Sequence, residues 1–423
     1  MKNSGIEWIG EIPKDWNIAP LKSIFKERKE KNYPIKTKEI LSLTIDRGVI
    51  PYSEKGGGGN KAKEDLTAYK LTYPNDIVLN SMNVIAGAVG LSKYFGAVSP
   101  VYYTLYGDEK INCTSYFNDI FQTQAFQKSL LGLGNGIMMK ESSTGKLNTI
   151  RMRIPMEKLK SVMLPVPPLH EQQAIANYLD EQVGKIDELI TEQRIAIEKW
   201  KEYKQSLITE TVTKGLNPDV EMKDSGIEWI GKIPKVWNVR PLRKTVSLRN
   251  EKKFMTKENV FIGLENIQSF NGKYIRTETV YDEGVNNIFK NGDVLFSKLR
   301  PYLTKALIPD FDGFCTGELI VFSSYSGVKR FLLYVLLSNK FIDVINSSTY
   351  GAKMPRANWD FIGNVYTPIP PINEQQAIVD FLDEKCSKID ESIEQKQILI
   401  KQLEEYKQSL IYECVTGKKQ IIE

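Results

Sequence analysis

The sequence predicts an α+β chain built twice over: two α+β globules separated by two long helices that pair as an antiparallel coiled coil, in an internal pseudo-twofold repeat. Three observations predict it. The first is a pair of near-copied flanks. Lys2 to Phe25, KNSGIEWIGEIPKDWNIAPLKSIF, returns as Lys223 to Val246, KDSGIEWIGKIPKVWNVRPLRKTV, with 15 of 24 positions identical at an offset of 221, and Pro165 to Thr213 returns as Pro368 to Thr416 with 28 of 49 identical at an offset of 203. The second is a heptad pattern inside the latter flank in both copies. The third is that the centres, about 26–164 and 247–367, are divergent and rich in short β-type runs punctuated by Gly, Pro, Asn and Asp.

In chain order, the GIEWIG…IPK…W segments place Trp8, Trp16, Trp229 and Trp237 at matching positions, where they read as packing anchors. The centres then keep a pattern without keeping residues. Asn75 to Leu105 lies on Gly292 to Phe322 at an offset of 217, matching Asp76 to Asp293, Gly96 to Gly313 and Ser99 to Thr316, so both centres are expected to share a fold. Strands are expected around Ile77 to Leu79, Val101 to Leu105, Val294 to Phe296 and Leu319 to Phe322, and helices near Tyr116 to Leu131 and Val328 to Ile345.

Pro167 and Pro168 end an extended stretch, and from Glu171 neither Pro nor Gly occurs until Gly184, which predicts a helix start there. Val183, Ile186, Ile190, Ile197, Trp200 and Leu207 fall on a and d positions, and the second copy places Cys386, Ile389, Ile393, Ile400, Leu403 and Leu410 on the same ones. Polar interruptions coincide, Gln193 with Lys396 and Lys204 with Lys407, and would fix register. About 40 residues at 1.5 Å each reach roughly 60 Å, longer than one compact domain needs, so the helices are expected to pair with each other.

At 423 residues with 41% hydrophobic and 26% charged residues, the chain is a multidomain globular protein rather than a disordered or fibrous one. No apolar run approaches the roughly 18 residues of a membrane span, and Met1 to Gly10 is too polar for a signal peptide, so a cytoplasmic location is expected. Cys113, Cys315, Cys386 and Cys414 lie outside CxxC reach of one another and suggest neither a disulfide framework nor a zinc ribbon. The single histidine, His170, excludes multi-His metal sites, and Asn373 stands at its place in the other copy. A net charge of +5 permits a polyanionic partner without requiring one.

Catalytic signatures are mostly missing. An exocyclic-amine methyltransferase needs a glycine motif after a strand and an [D/N]PP[Y/F] loop, whereas the double prolines here precede aliphatic residues, and GLGNG at 132–136 follows a helical pattern. Pro218, Asp219, Glu221 and Lys223 imitate a PD…ExK nuclease only in letters, being crowded into the link between repeats. What remains are basic and polar clusters in the divergent centres, suited to phosphates and base edges. In the first they are Lys55, Gly56 to Gly59, Asn60, Lys61 and Lys63, with a second group of Lys140, Lys146, Arg151 and Arg153. In the second they are Arg249, Asn250, Lys252, Lys253, Lys298, Arg300, Lys305, Lys353 and Arg356, of which Arg356 coincides with Arg153 at the 203 offset.

Two long helices alternating with two divergent globules, with PLHEQQAIANYLDE and PINEQQAIVDFLDE opening the helices, resemble the specificity subunit of a type I restriction–modification system. The resemblance covers the whole chain. It implies target recognition domains at 1–168 and 217–371 and helical spacers at 169–216 and 372–423, with each recognition domain reading one half of a split double-stranded DNA sequence. It further implies two modification subunits that carry S-adenosylmethionine and methylate adenine at N6, and restriction subunits that use ATP and Mg. No catalytic, cofactor or metal residue is then expected in this chain. A self-contained methyltransferase, a coiled-coil adaptor and a DNA-binding protein outside restriction–modification are the competing readings.

Overall fold

The strands that bracket each divergent centre lie in, or run into, the repeated flanks. Asn17–Pro20 pairs antiparallel with Met163–Val166, and Asn238–Pro241 pairs with Tyr366–Ile369 in the same register. Variation between them is therefore free to grow outward from a closed base. The computed structural model describes residues 1–56, 61–135, 140–141, 147–148, 153–279, 281–351 and 353–421, with 140–141 and 147–148 as backbone only. The chain divides into two compact units, Met1–Glu192 with Leu399–Glu423, and Gln193–Ile398.

In the first unit a four-stranded antiparallel sheet runs in the order Lys26–Glu27, Tyr102–Tyr106, Ile77–Asn80, Val89–Leu91. Helices α1 (Thr114–Gln122) and α2 (Gln124–Ser129) cover it, burying Phe117, Ile120, Phe121 and Phe126 against Leu79 and Leu105. The second unit repeats that order with Val246–Leu248, Leu319–Tyr325, Val294–Ser297, Ala306–Leu307, and with α4 (Lys329–Leu337) and α5 (Asn339–Ser347) against it. It adds a second four-stranded sheet, Lys252–Met255, Gly284–Phe289, Gly313–Cys315 and Phe261–Ile262, whose last pair is parallel. The Gly96 and Gly313 match has a steric cause. A Cβ at Gly96 would lie 2.6 Å from the Leu41 side chain, and one at Gly313 2.8 Å from both Phe289 and the Val260 carbonyl.

Each expected helical patch is two helices, because Thr123 and Ser338 leave helical geometry at ψ 135° and 137°. Their hydroxyls donate to the carbonyls of Ile120 and Val335 at 2.8 and 2.7 Å, supplying a local alternative to the helix ladder.

The long helices are α3 (Leu169–Lys214) and α6 (Ile372–Val415). The first starts two residues earlier than expected, since Gln172 N–H already donates to Pro168 O, and it runs through Gly184 unbroken. A buried latch sets each start. Gln172 donates its amide to Pro167 O at 2.8 Å and accepts from Cys113 N–H at 2.8 Å, and Gln375 does the same with Pro370 O and Val328 N–H at 2.9 Å each. Beside it, the buried indoles of Trp16 and Trp237 donate to Glu171 and Glu374 at 2.9 and 2.8 Å. The glutamate of the EQ pair at each helix start thus locks onto the tryptophan of the other flank, and the glutamine onto the divergent centre.

Within the first unit, Ile186 and Ile190 of α3 share a core with Leu410, Ile411, Cys414 and Val415 of α6. Within the second, Ile208 and Val212 share one with Ile378, Val379, Leu382 and Cys386. The helices run antiparallel: Lys407 meets Asp187 at 2.7 Å in one unit, and Lys204 meets Asp390 at 2.7 Å in the other. The polar seam positions find each other, with Lys396 donating to Gln193 at 3.0 Å. The indoles expected as anchors pack edge-on, Trp8 on Phe126 at 5.6 Å and Trp229 on Phe341 at 5.7 Å.

Candidate nucleic-acid interface

Two arginines, one per unit, hold the frame from which the variable surface grows. Arg28 grips the buried Asp76 at 2.7 and 2.9 Å, and Arg249 grips the buried Asp293 at 2.7 and 3.3 Å. Each carboxylate also accepts a backbone N–H, from Tyr73 and Lys290 respectively, at 2.9 Å. The hydrogen bond to the aspartate holds each guanidinium firmly protonated. Arg249, a candidate contact by charge, is therefore bound up in this internal pair. Arg28 went unnoticed although it recurs at the 221 offset only three residues beyond the aligned flank.

Lys305 is held internally as well. Its ammonium donates to the carbonyls of Leu264 and Ile267 at 2.5 and 2.9 Å, and burial pulls its pKa down. Lys298, Arg300, Lys353 and Arg356, by contrast, are brought together from two segments. Arg300 N–H donates to Pro355 O at 2.7 Å, its guanidinium reaches Lys353 O at 3.4 Å, and Ala357 N–H donates to Lys298 O at 2.9 Å. Arg300 adopts φ 49°, a left-handed conformation costly for a side-chain-bearing residue, and its Nε is buried without a partner among the described residues. Tyr302, Tyr350 and Met354 stand exposed around it, giving the surface apolar and stacking groups beside its cations. Arg356 is tied by a forked ion pair to Glu318, closest at 2.7 Å, which raises its pKa.

Asn250, Lys252 and Lys253 are exposed, the two lysines on a strand opposite Asn287 and Asn286. In the first unit Lys55 lies 5.5 Å from the Tyr52 ring, while Lys61 and Lys63 are exposed on a loop whose return is fixed by Tyr52 and Tyr69 hydroxyls accepting from Ala62 and Lys63 N–H at 3.1 Å. Asn60, Lys146 and Arg151 lie outside the described residues, as do Gly57 to Gly59 and the side chain of Lys140. Arg153 is exposed at a cleft of about 490 Å³ lined also by Glu27, Lys29, Lys70, Tyr103 and Asn135. Burial lowers the pKa of Lys70, opposed by Glu27 at 3.6 Å. His170 is exposed at the start of α3. Among the described residues no cluster of three metal-ligating side chains occurs, and no helix is long and apolar enough to cross a membrane.

Comparison with known proteins gives this geometry a context. Residues 13–199 and 234–404 match the type I restriction modification DNA specificity domain. The chain is 25% identical over 429 residues to the type I restriction enzyme MjaVIII specificity subunit of Methanocaldococcus jannaschii, covering 96% of this chain and 93% of that one. It is 23% identical over 278 residues to the EcoDI specificity subunit of Escherichia coli, covering 61% and 62%. A solved structure described as showing complex assembly and conformational transition of the type I R-M system superposes with a TM-score of 0.69 at 12% identity, over 97% of this chain and 100% of the other. The HsdS subunit from Thermoanaerobacter tengcongensis superposes at 0.51 with 12% identity, over 97% and 98%.

Proposed function

The chain belongs to the type I restriction–modification DNA specificity family, and on that footing we propose that it is the DNA-recognition subunit of such a system, reading a bipartite duplex target with one half-site per unit. The observation that carries the reading is one repeated frame bearing two unlike polar surfaces. The Arg–Asp pairs, latches and tryptophans recur in both units, while apart from the Arg153 and Arg356 match the cations of the two variable surfaces do not. A frame kept for a common purpose and surfaces that differ fit two different half-sites on one scaffold.

The repeated helices α3 and α6 are the segments suited to common partners. In this reading they hold two modification subunits, which bring S-adenosylmethionine and methylate adenine at N6, and restriction subunits join with ATP and Mg. The chain itself supplies recognition and no catalytic group, in keeping with the absence of methyltransferase and nuclease motifs from its sequence. Methylome sequencing of a host with and without this chain, alongside its modification partner, tests the proposal. Adenine methylation at one bipartite sequence, present only with the chain, is the expected result. Methylation unaffected by its removal, or S-adenosylmethionine binding by the isolated chain, would overturn it.

A further inference from the structure

Arg153 and Arg356 stand on the same piece of frame in the two units. Arg153 exchanges both backbone hydrogen bonds with Asn135, and Ile154 N–H donates to Ser81 O at 3.0 Å. Arg356 exchanges both with Tyr350, and Ala357 N–H donates to Lys298 O at 2.9 Å. Ser81 and Lys298 correspond at the 217 offset, and the next strand pairs, Asn80 with Tyr102 and Ser297 with Leu319, correspond too. The residue preceding each, Val101 or Glu318, is equivalent as well: Ser81 Oγ donates to Val101 O at 3.1 Å, and Lys298 N–H donates to Glu318 O at 3.0 Å.

At this point the copies part. Glu318 fills the fork of Arg356 from Nε and Nη2, whereas Val101 has no charge to offer. Around Arg153 the other charged groups of the cleft are already engaged. Lys29 and Lys70 lie 3.8 and 3.6 Å from Glu27, and Glu157 is held by Lys160 at 3.1 Å. Arg153 makes no ion pair among the described residues. An open guanidinium fork matches a group with two adjacent acceptors, while a fork closed by a carboxylate must first break that pair and then bring a negative charge toward DNA.

We propose that Arg153 contacts the first half of the DNA target through a two-acceptor group, the O6/N7 edge of guanine or the oxygens of a phosphate, and that Glu318 silences the equivalent Arg356 in the second unit. This inference rests on the DNA-recognition reading. The test uses the full chain with its modification subunits, selecting from a randomised duplex library at two salt concentrations. Arg153→Ala should weaken binding by roughly five- to 150-fold through the first half-site while the second half-site sequence stays unchanged. Val101→Glu, which installs the missing counter-ion, should act the same way. The Arg153→Ala selection also separates the two sources. A loss uniform over sequences with a shallower salt dependence marks a phosphate, and lost preference at one base pair marks guanine. Glu318→Ala should tighten binding or add a preference at the second half-site only. If Arg153→Ala and Val101→Glu both leave affinity and sequence untouched, the role of Arg153 is wrong. If only Glu318→Ala is silent, the silencing is wrong. A wild-type complex that selects no bipartite sequence overturns the recognition reading itself, and this inference with it.

Discussion

Lys204→Met and Lys407→Met should have unequal consequences although the two lysines occupy equivalent seam positions and make equivalent pairs. Lys204 and Asp390 are 8% and 18% exposed, whereas Lys407 and Asp187 are 25% and 52% exposed. Breaking a fully buried pair costs about 3–5 kcal/mol because the partner is left charged out of water. Asp390 keeps a second cation, Lys273 at 3.2 Å, so the loss for Lys204→Met is expected below that range, about 2–3 kcal/mol. For the Lys407 pair, exposed and screened, about 0–1 kcal/mol is expected. Methionine preserves most of the stem packing, so the difference reports the lost charge together with the hydrogen bond that Lys204 also donates to Asn271. Native-state hydrogen exchange of the full chain, followed on peptides of α3 and α6 from each unit, resolves the two losses separately. Added salt should narrow any effect at Lys407 and leave that at Lys204 nearly unchanged. Equal losses in the two variants, within about 0.5 kcal/mol, would refute the argument that burial sets the strength of these pairs.

Other outcomes follow from the same structure. Gln172→Leu removes both hydrogen bonds of the latch and strands Pro167 O and Cys113 N–H, so a loss of about 2–4 kcal/mol is expected by urea denaturation, and a loss under about 0.5 kcal/mol would contradict the latch. Replacing residues 26–164 with the segment of another family member should change one half-site in the methylome and leave the other intact, because the exchange keeps Asn17–Pro20 and the Pro165–Val166 end of its partner strand and leaves the second unit untouched; simultaneous change of both half-sites would refute modularity. Charge reversal of Lys298 and Arg300 together should weaken DNA binding while pull-down with the modification subunits is unaffected, and unaltered affinity and specificity would remove that surface from the interface.

The duplicated architecture was legible because repetition and heptad spacing are properties of sequence alone. The pairing of Lys204 with Asp390 and Lys407 with Asp187 was half legible: the lysines were visible as seam interruptions, but their partners depend on the antiparallel register. The breaks at Thr123 and Ser338 carry no Pro or Gly and come from a side-chain hydroxyl competing for a backbone carbonyl, which composition does not reveal. Among the candidate contacts, charge told which residues could meet DNA and not which were already engaged. Arg249 and Lys305 look like Arg300 in sequence, and only Asp293 or the carbonyls of Leu264 and Ile267 separate them. Arg153 and Arg356 are separated by one residue at the turn leading into a neighbouring strand, Val101 or Glu318, some 40 to 50 positions away in the chain.

The composition of the first unit bears on how the protein emerges from the ribosome. The second unit is one continuous stretch, Gln193–Ile398, and can close as soon as it has been made. The first must wait, because Leu410, Cys414 and Val415 belong to its core, Tyr116 donates to Val415 O at 3.0 Å, and Tyr412 donates to Trp8 O at 3.0 Å across 404 positions of chain. Ile186, Ile190 and the floor around Tyr116 therefore stay uncovered through the synthesis of more than 200 further residues. Closure over so long a separation is slow, and an open apolar face is an invitation to chaperones and to aggregation. The last turn of α6 is thus what seals the first unit: a chain cut short before it would carry all of the second unit and an open core in the first.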